Sequence, residues 1–159
     1  MPIPARLSSY LDQRSVRYEV CAHPRSHNSA QTARSAHVLP QQLAKSVLLE
    51  DENGPLIAVV PADQKVLVGV VARLLGRKSL HLSDEASMGP LFDDCERGAL
   101  PPVGMAWGVE TIVDETLEAM DAVYLESGDH EHLLRLSHDD FHRLMRTARH
   151  AHIGKPPMH

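Results

Sequence analysis

The chain has 159 residues, of which 43% are hydrophobic and 23% are charged, and its formal net charge is −5. This is the composition of one globular domain with a buried core, and no apolar run approaches the roughly 18 residues that a membrane-spanning helix requires. The acidic balance disfavours wide, nonspecific wrapping of nucleic acid but leaves room for contact with one end of an RNA through a small basic patch.

The first half of the chain predicts two helices, a strand and a β-hairpin. In chain order, the predicted helix, strand, helix and hairpin cover residues 5–14, 16–22, 28–38 and 43–61. Leu7 and Leu11 share one face of the first helix, and Asn28 or Ser29 caps the second. Asn53 and Gly54 supply the positive-φ turn of the hairpin.

The second half predicts a helix that ends at Gly76, a short strand, a short helix broken by Gly89, three further strands and a final helix capped by Ser137. These elements cover residues 66–76, 79–83, 84–92, 109–115, 122–127, 131–137 and 137–150. Hairpin-like pairs with helices at irregular intervals are not typical of a regular parallel α/β sheet. We expect a mixed α+β fold, in which helices flank a curved or barrel-like, partly antiparallel sheet.

Basic side chains beside or on the predicted helices are the best candidates for a local RNA-binding patch. They are Arg77, Lys78, Arg143, Arg146 and Arg149. The alternative is that these side chains are solvated helix faces.

The cysteines and histidines offer rival chemistries. Cys21 and Cys95 are too few for a disulfide framework and fit buried structural positions, and the N-terminal segment lacks a signal-peptide pattern. We therefore expect a cytoplasmic protein with reduced thiols. The eleven histidines reproduce no zinc signature and no H-E-x-x-H motif, so we expect no metal and no cofactor. We expect residues 1–150 to form a single domain, and the proline-containing residues 151–159 to be a mobile tail.

Lys45 is an anomaly inside an apolar strand. Alternation places Lys45 on the same strand face as Val47 and Leu49. A charge on that face is costly unless it finds partners or lines a cleft. The alternative is that the strand begins only at Ser46 and that Lys45 reaches water.

The segment "RGALPPVG", residues 97–104, is the second anomaly. Pro101 and Pro102 fix φ and donate no hydrogen bonds, while Gly98 and Gly104 let other atoms approach the backbone closely. Such a loop suits a rigid, size-limiting wall, whose amides at Ala99 and Leu100 would bind a carbonyl oxygen or an oxyanion. The alternative is a proline-stiffened connection.

Taken in order, these features resemble the family of YbaK and prolyl-tRNA-synthetase-associated domains, which edit aminoacyl-tRNA. The resemblance covers residues 16–146 and rests most specifically on Lys45 within "AKSVLLEDENG" and on a G-x-x-x-P loop matched by Gly98 and Pro102. The longer pattern "DCERGALPPVG", followed by "GDHEHL", is similar to one branch of that family.

The resemblance implies a barrel-like mixed sheet and hydrolysis of the ester that joins a wrong amino acid to the terminal adenosine of a tRNA, often tRNA for proline. Its implied partners are a mischarged tRNA and, as an open alternative, a synthetase, with neither membrane nor DNA. It implies that Lys45 contacts the substrate as a cationic donor and that backbone amides from Gly98 to Leu100 hold the ester carbonyl. Pro101 and Pro102 would limit the pocket, with Gly104 ending the loop and His130 lining the far side.

Two departures affect the implied pocket. Pro101 stands where better-known members commonly have a small polar residue, and Trp107 stands where this branch has a smaller aromatic side chain. The amino acid removed therefore stays open among small residues. Two other functions also stay open, which are a non-catalytic tRNA- or synthetase-binding module of the same fold and a histidine-dependent metalloprotein.

Overall fold

The β2–β3 hairpin is the centre of a mixed sheet in the computed structural model, which describes residues 3–84 and 89–156. The strands are β1 Glu19–Ala22, β2 Leu43–Asp51, β3 Gly54–Pro61, β4 Lys65–Val66, β5 His81–Leu82, β6 Glu110–Asp114, β7 Ala122–Glu126, β8 His132–Ser137, β9 Arg149–Ala151 and β10 Gly154–Lys155. The helices are α1 Ala5–Gln13, α2 Ser29–Ser35, α3 Val68–Leu75 and α4 His138–Leu144. Short 3-10 helices cover Pro40–Gln42, Gly104–Trp107 and Glu115–Ala119.

The main sheet has the strand order β1-β8-β7-β2-β3-β6-β9, and β5 also pairs with β2. The pairs β2/β7, β3/β6 and β6/β9 are parallel, whereas the pairs β1/β8, β7/β8, β2/β3 and β2/β5 are antiparallel. Strands β4 and β10 form a separate antiparallel pair. The prediction of a mixed α+β fold with helices flanking the sheet is confirmed.

Strand alternation distributes the core over both faces of the hairpin. Leu48 and Ile57 belong to the main core, which also receives Leu7 and Leu11 of α1 and Phe141 of α4. The opposite face carries Leu49, Leu56, Ala58 and Val60, which pack with Val71 of α3. Each residue in these two sets is at most 3% exposed, so both faces of the hairpin are interior surfaces.

The predicted helix ends are confirmed at three positions. The Asn28 carboxamide oxygen accepts a 2.9 Å hydrogen bond from the Gln31 amide, and the Ser137 hydroxyl accepts one of 3.1 Å from the Asp140 amide. Gly76 ends α3 in the left-handed conformation, with φ of 66°. In the hairpin turn Gly54 has a φ of 115°, whereas Asn53 does not take the positive φ that was predicted for it.

The end of the chain differs from the prediction. Helix α4 stops at Leu144 instead of residue 150, and residues 151–156 are held in the fold by β9 and β10 instead of forming a mobile tail. Ile153 is fully buried, and its amide donates a 2.9 Å hydrogen bond to the Asp114 carboxylate. The expected tail residues 157–159, and residues 85–88 of the predicted helix 84–92, lie outside the described residues.

Candidate functional site

Lys45 lies in β2, two residues inside the strand, so the alternative in which the strand begins at Ser46 is wrong. Its side chain is half-buried, and its Nζ atom lies 3.5 Å from the Ala62 carbonyl oxygen. Burial lowers the pKa of Lys45, the nearby Asp63 carboxylate opposes this effect, and the Lys65 ammonium adds to it. Lys45 is therefore a partly desolvated cation with weak internal compensation.

The loop that contains Gly98 lies beside β2 along the edge that faces β7. On that edge β7 pairs with Leu43 and Ala44, and β5 pairs with Leu49 and Glu50, so the stretch between them pairs with neither strand. The Ser46 hydroxyl reaches across this gap and donates a 2.8 Å hydrogen bond to the Leu100 carbonyl oxygen. The structure thus brings the loop to the residue that follows Lys45.

Gly98 is required by both its backbone and its surroundings. Its φ is 82°, and a Cβ atom there would lie 3.2 Å from His130 Cε1 and 3.2 Å from the His27 carbonyl oxygen. An alanine would be strained by the left-handed backbone and crowded by the imidazole. The loop and His130 are therefore packed directly together.

The availability of the loop amides corrects part of the prediction. The Ala99 amide donates a 3.1 Å hydrogen bond to the Glu96 carbonyl oxygen, so it is not free to hold a substrate carbonyl. In the part of the chain that the structure describes, no such bond is found for the Leu100 amide. Of these two amides, Leu100 is the one left as a donor for an oxyanion.

His130 occupies the turn between β7 and β8, where it takes a positive φ of 63° and is 4% exposed. Its Nε2 atom lies 2.5 Å from the Arg97 carbonyl oxygen, which can only accept, so Nε2 carries the proton. The Nδ1 atom of the neutral ring is then an acceptor, and no partner for it exists among the described residues. Its ring centroid lies 6.5 Å from that of His27, next to the start of α2.

The remaining predicted loop residues, Pro101, Pro102 and Gly104, are buried within the fold. Pro101 and Pro102 are buried, in keeping with a rigid wall. Gly104 begins a 3-10 helix, and a Cβ atom there would lie 2.9 Å from the Val109 carbonyl oxygen, so this glycine permits close packing against β6. A cleft of about 240 Å³ lies beside the loop and is lined by Phe92, Arg97 and Leu100, among others, without Lys45 or His130.

Glu126 is a buried acid that sequence reasoning missed. It ends β7 and is 2% exposed, and among the described residues neither of its carboxylate oxygens has a hydrogen-bond partner. Burial raises the pKa of Glu126 to about 7, the Thr32 hydroxyl lowers it, and Asp129 raises it further. The Thr32 hydroxyl itself is bonded to Ser26 at 2.5 Å, so it leaves Glu126 poorly compensated.

Glu126 and Lys45 lie on the same side of the sheet. Leu43 of β2 and Tyr124 of β7 are register partners in a parallel pair. Lys45 lies two residues after Leu43, and Glu126 lies two residues after Tyr124, so all four side chains are on one face of the sheet. The signal that could have found Glu126 is the one that found Lys45, namely a charge at an apolar position of a strand.

Arg77 is neither part of an exposed RNA-binding patch nor on a solvated helix face, so both predictions for it are wrong. It is 9% exposed, and its guanidinium donates to Asp51 at 2.6 and 2.8 Å, to the Gly54 carbonyl oxygen at 2.6 Å and to Glu110 at 3.2 Å. The hydrogen bonds from Arg77 lower the pKa of Asp51 to about 2, against the opposing effect of burial. This pair fixes the hairpin turn instead of facing solvent.

Within residues 3–84 and 89–156, no three His, Cys, Asp or Glu side chains are grouped so that they could hold a metal ion. In the same ranges, no helix has the length and apolar character needed to cross a membrane.

Comparison with solved structures shows the fold. A protein provisionally described as a trans-editing enzyme for prolyl-tRNA synthetase matches with a TM-score of 0.80 and 22% identity over 94% of this chain and 95% of the other. A hypothetical protein matches with a TM-score of 0.81 and 19% identity, covering 94% and 99% of the two chains. A protein from Marinobacter aquaeolei VT8, provisionally described as a signal transduction protein, matches with a TM-score of 0.75 and 20% identity over 96% of this chain and 31% of its own.

No curated protein sequence matches the chain significantly. A family model for the aminoacyl-tRNA editing domain matches residues 23–144, which include Lys45, the whole loop from Gly98 to Gly104, and His130. The match covers most of the chain and every strand from β2 to β8, and it agrees with the resemblance drawn from the loop and the strand lysine. The chain therefore belongs to the aminoacyl-tRNA editing domain family, the YbaK family.

Proposed function

We propose that the protein is a deacylase that hydrolyses a mischarged tRNA in trans, with a small amino acid as the group removed and tRNA for proline as the leading acceptor. The observation that carries the proposal is the contact of the loop with β2 and with His130. Ser46, which follows the half-buried Lys45, donates to the Leu100 carbonyl oxygen, and Gly98 of the same loop packs against His130.

The reaction needs few protein groups. Water adds to the ester carbonyl carbon, the bond from that carbon to the ribose oxygen breaks, and the ribose oxygen leaves with a proton. The neighbouring ribose hydroxyl of the substrate assists the attacking water, which agrees with the absence of a recognised nucleophile motif in the sequence. The protein then has to hold the ester, stabilise the developing oxyanion and exclude larger side chains.

Each proposed role follows from the chemistry of the group. The Leu100 amide donates to the carbonyl oxygen as it gains charge, and Lys45 supplies the cation close to it. His130 lines the far side of the loop and holds it in place, since its Nε2 atom donates to the Arg97 carbonyl oxygen. Gly98 lets the loop pack directly against His130, and Pro101 and Pro102 form the wall that rejects larger amino acids.

The test is a deacylation assay with a panel of tRNAs, each charged with a noncognate small amino acid, at fixed ionic strength. Lys45→Ala is compared with Lys78→Ala, which removes an exposed lysine that follows α3. We expect Lys45→Ala to lose on the order of 100-fold or more in rate, the scale of one oxyanion-stabilising donor, while Lys78→Ala keeps the wild-type rate.

A Lys45→Ala variant that deacylates at the wild-type rate would contradict the assigned mechanism. Binding of tRNA without turnover of any ester in the panel would favour the non-catalytic tRNA-binding module instead. Circular dichroism of both variants checks that the fold is retained.

A further inference from the structure

Four arginines gather where the end of α1 meets α4, outside the site described above. Arg14, Arg17, Arg143 and Arg146 line an open depression, here called the arginine cleft, together with Asp139 and Asp140. Arg17, Arg143 and Arg146 are exposed. The concentration is notable because the whole chain carries 16 basic residues against 21 acidic ones.

The acids of the cleft cancel only part of this charge. Asp140 is committed to internal contacts, since it accepts from the Arg17 amide at 3.0 Å, the Ser137 hydroxyl at 2.9 Å and the Arg143 guanidinium at 3.2 Å. Burial alone would raise the pKa of Asp140, but these contacts hold it below its ordinary value. Among the described residues, the guanidinium groups of Arg17 and Arg146 make no ion pair, so their donors face solvent.

Arg14 is held ready in a different way. Its guanidinium carbon lies 3.8 Å from the centre of the Tyr10 ring, which is a cation–π distance. A planar guanidinium with a free edge matches the oxygens of a phosphate diester.

Strand β8 connects the cleft with the candidate site. It begins at His132, just after His130, and ends at Ser137, the cap of α4, so the two places are separated by roughly 17 Å of extended strand. The exposed Arg135 lies between them and is the register partner of Tyr124, which places it on the sheet face that carries Lys45 and Glu126. One exposed basic side chain therefore lies between the candidate site and the cleft, opposite Glu19 of β1 in the sheet register.

We propose that the arginine cleft binds the phosphodiester backbone of the tRNA acceptor stem while the 3′ end occupies the site at Lys45. This inference rests on the proposed function. It assigns a sequence-independent positioning contact to the cleft, since phosphate contacts set register without reading bases.

The test compares two substrates that share the reacting ester. One is a full-length mischarged tRNA, and the other is a short aminoacylated oligonucleotide with only the single-stranded 3′ end, which lacks the stem phosphates that the cleft would bind. The double variant Arg17→Ala/Arg146→Ala removes two guanidinium groups without breaking an ion pair. Arg73→Ala, an exposed arginine of α3, is the matched control.

We expect the double variant to raise KM for the full tRNA about 10-fold and to reduce the slope of log KM against log salt by about 1.5, as expected for two lost phosphate contacts. Its kcat/KM for the oligonucleotide should stay within about 2-fold of wild type. An unchanged KM for the tRNA, or an equal loss with both substrates, would overturn the proposal.

If the wild type hydrolyses neither substrate, the proposed deacylase function is wrong, whether or not the cleft binds RNA. The cleft is then judged by fluorescence anisotropy with labelled uncharged tRNA. A weaker, less salt-dependent affinity of the double variant supports the cleft, and equal affinity of all three proteins refutes it.

Discussion

Burial disfavours the charged form of two ionisable side chains on one face of the sheet, Lys45 and Glu126. Burial lowers the pKa of the lysine and raises that of the glutamate to about 7. Both shifts show that the charged form is destabilised in the folded protein. Each residue therefore costs folding free energy that a purely structural residue at its position would avoid. Such positions concentrate at functional sites.

Glu126 gives a pH-dependent prediction. Its folded-state pKa lies above its ordinary value of 4.5, so the stability it contributes is present at low pH and is lost as the pH rises through about 7. Glu126→Gln resembles the protonated acid and cannot ionise. Urea denaturation should therefore show that the free energy of unfolding of the variant, relative to that of wild type, rises by about 2–3 kcal/mol between pH 5 and pH 8.

Asp129→Asn is the companion variant, because Asp129 is the nearby acid that raises the pKa of Glu126. It should leave most of the pH dependence in place, since burial is the larger cause. A Glu126→Gln advantage that is the same at both pH values would show that the glutamate is ionised in the folded protein throughout.

At the scale of the element, the loop depends on one glycine. Gly98→Ala meets both a left-handed φ and the imidazole of His130, so we expect deacylation to fall at least 10-fold, with a stability loss of about 1–2 kcal/mol. Gly108→Ala is a close control, because Gly108 has a φ of 70° and open space around its Cα. It should lose similar stability and keep its activity, as measured by urea denaturation and the deacylation assay.

If both glycine variants lose the same activity, the cause is backbone strain and not the contact between residue 98 and His130. Full activity of Gly98→Ala would remove the loop from the site.

Sequence reasoning predicted those elements whose signals are local. The hairpin, the start of α2, the end of α3 and the cap at Ser137 depend on residues within a few positions of one another. The strand lysine was recognisable because alternation alone makes Lys45 anomalous. Glu126 carried a similar signal but sat at the end of its strand, next to turn residues, where a charge is unremarkable.

Long-range contacts explain what the sequence concealed. The Ala99 amide is occupied by a turn that its residue types do not specify, and the crowding at Gly98 comes from His27 and His130, far away in the chain. Residues 149–155 form strands because β4 and β6 supply partners, although their own sequence has the character of a tail. Resemblance to a family suggested the roles proposed for the site residues, whereas pattern alone left several alternatives open.

At the scale of the whole molecule, Asp114 fastens residues 151–156 to the sheet. Its carboxylate is fully buried and accepts from Thr116 at 2.6 and 2.9 Å, from the Ile153 amide at 2.9 Å and from the Gly154 amide at 2.6 Å. Burial raises the pKa of Asp114, but these hydrogen bonds outweigh it and hold the value below the ordinary one.

Asp114→Asn replaces an acceptor by a donor that faces two amides, or leaves Thr116 without its partner. We expect a stability loss of about 2–3 kcal/mol and faster amide hydrogen exchange across residues 149–155. Glu115→Gln, at the exposed neighbouring acid, should change neither. Unchanged exchange in Asp114→Asn would show that β9 and β10 are held by strand pairing alone.

The position of β9 at the end of the sheet has a consequence for biosynthesis. Strand β6 leaves the ribosome well before β9, and until β9 arrives the parallel edge of β6 displays unpaired amides and carbonyls beside Ile112 and Val113. Such an edge can recruit a strand from another nascent chain. By pairing with β6, the short strand β9 covers an edge that could otherwise pair with a strand of another chain.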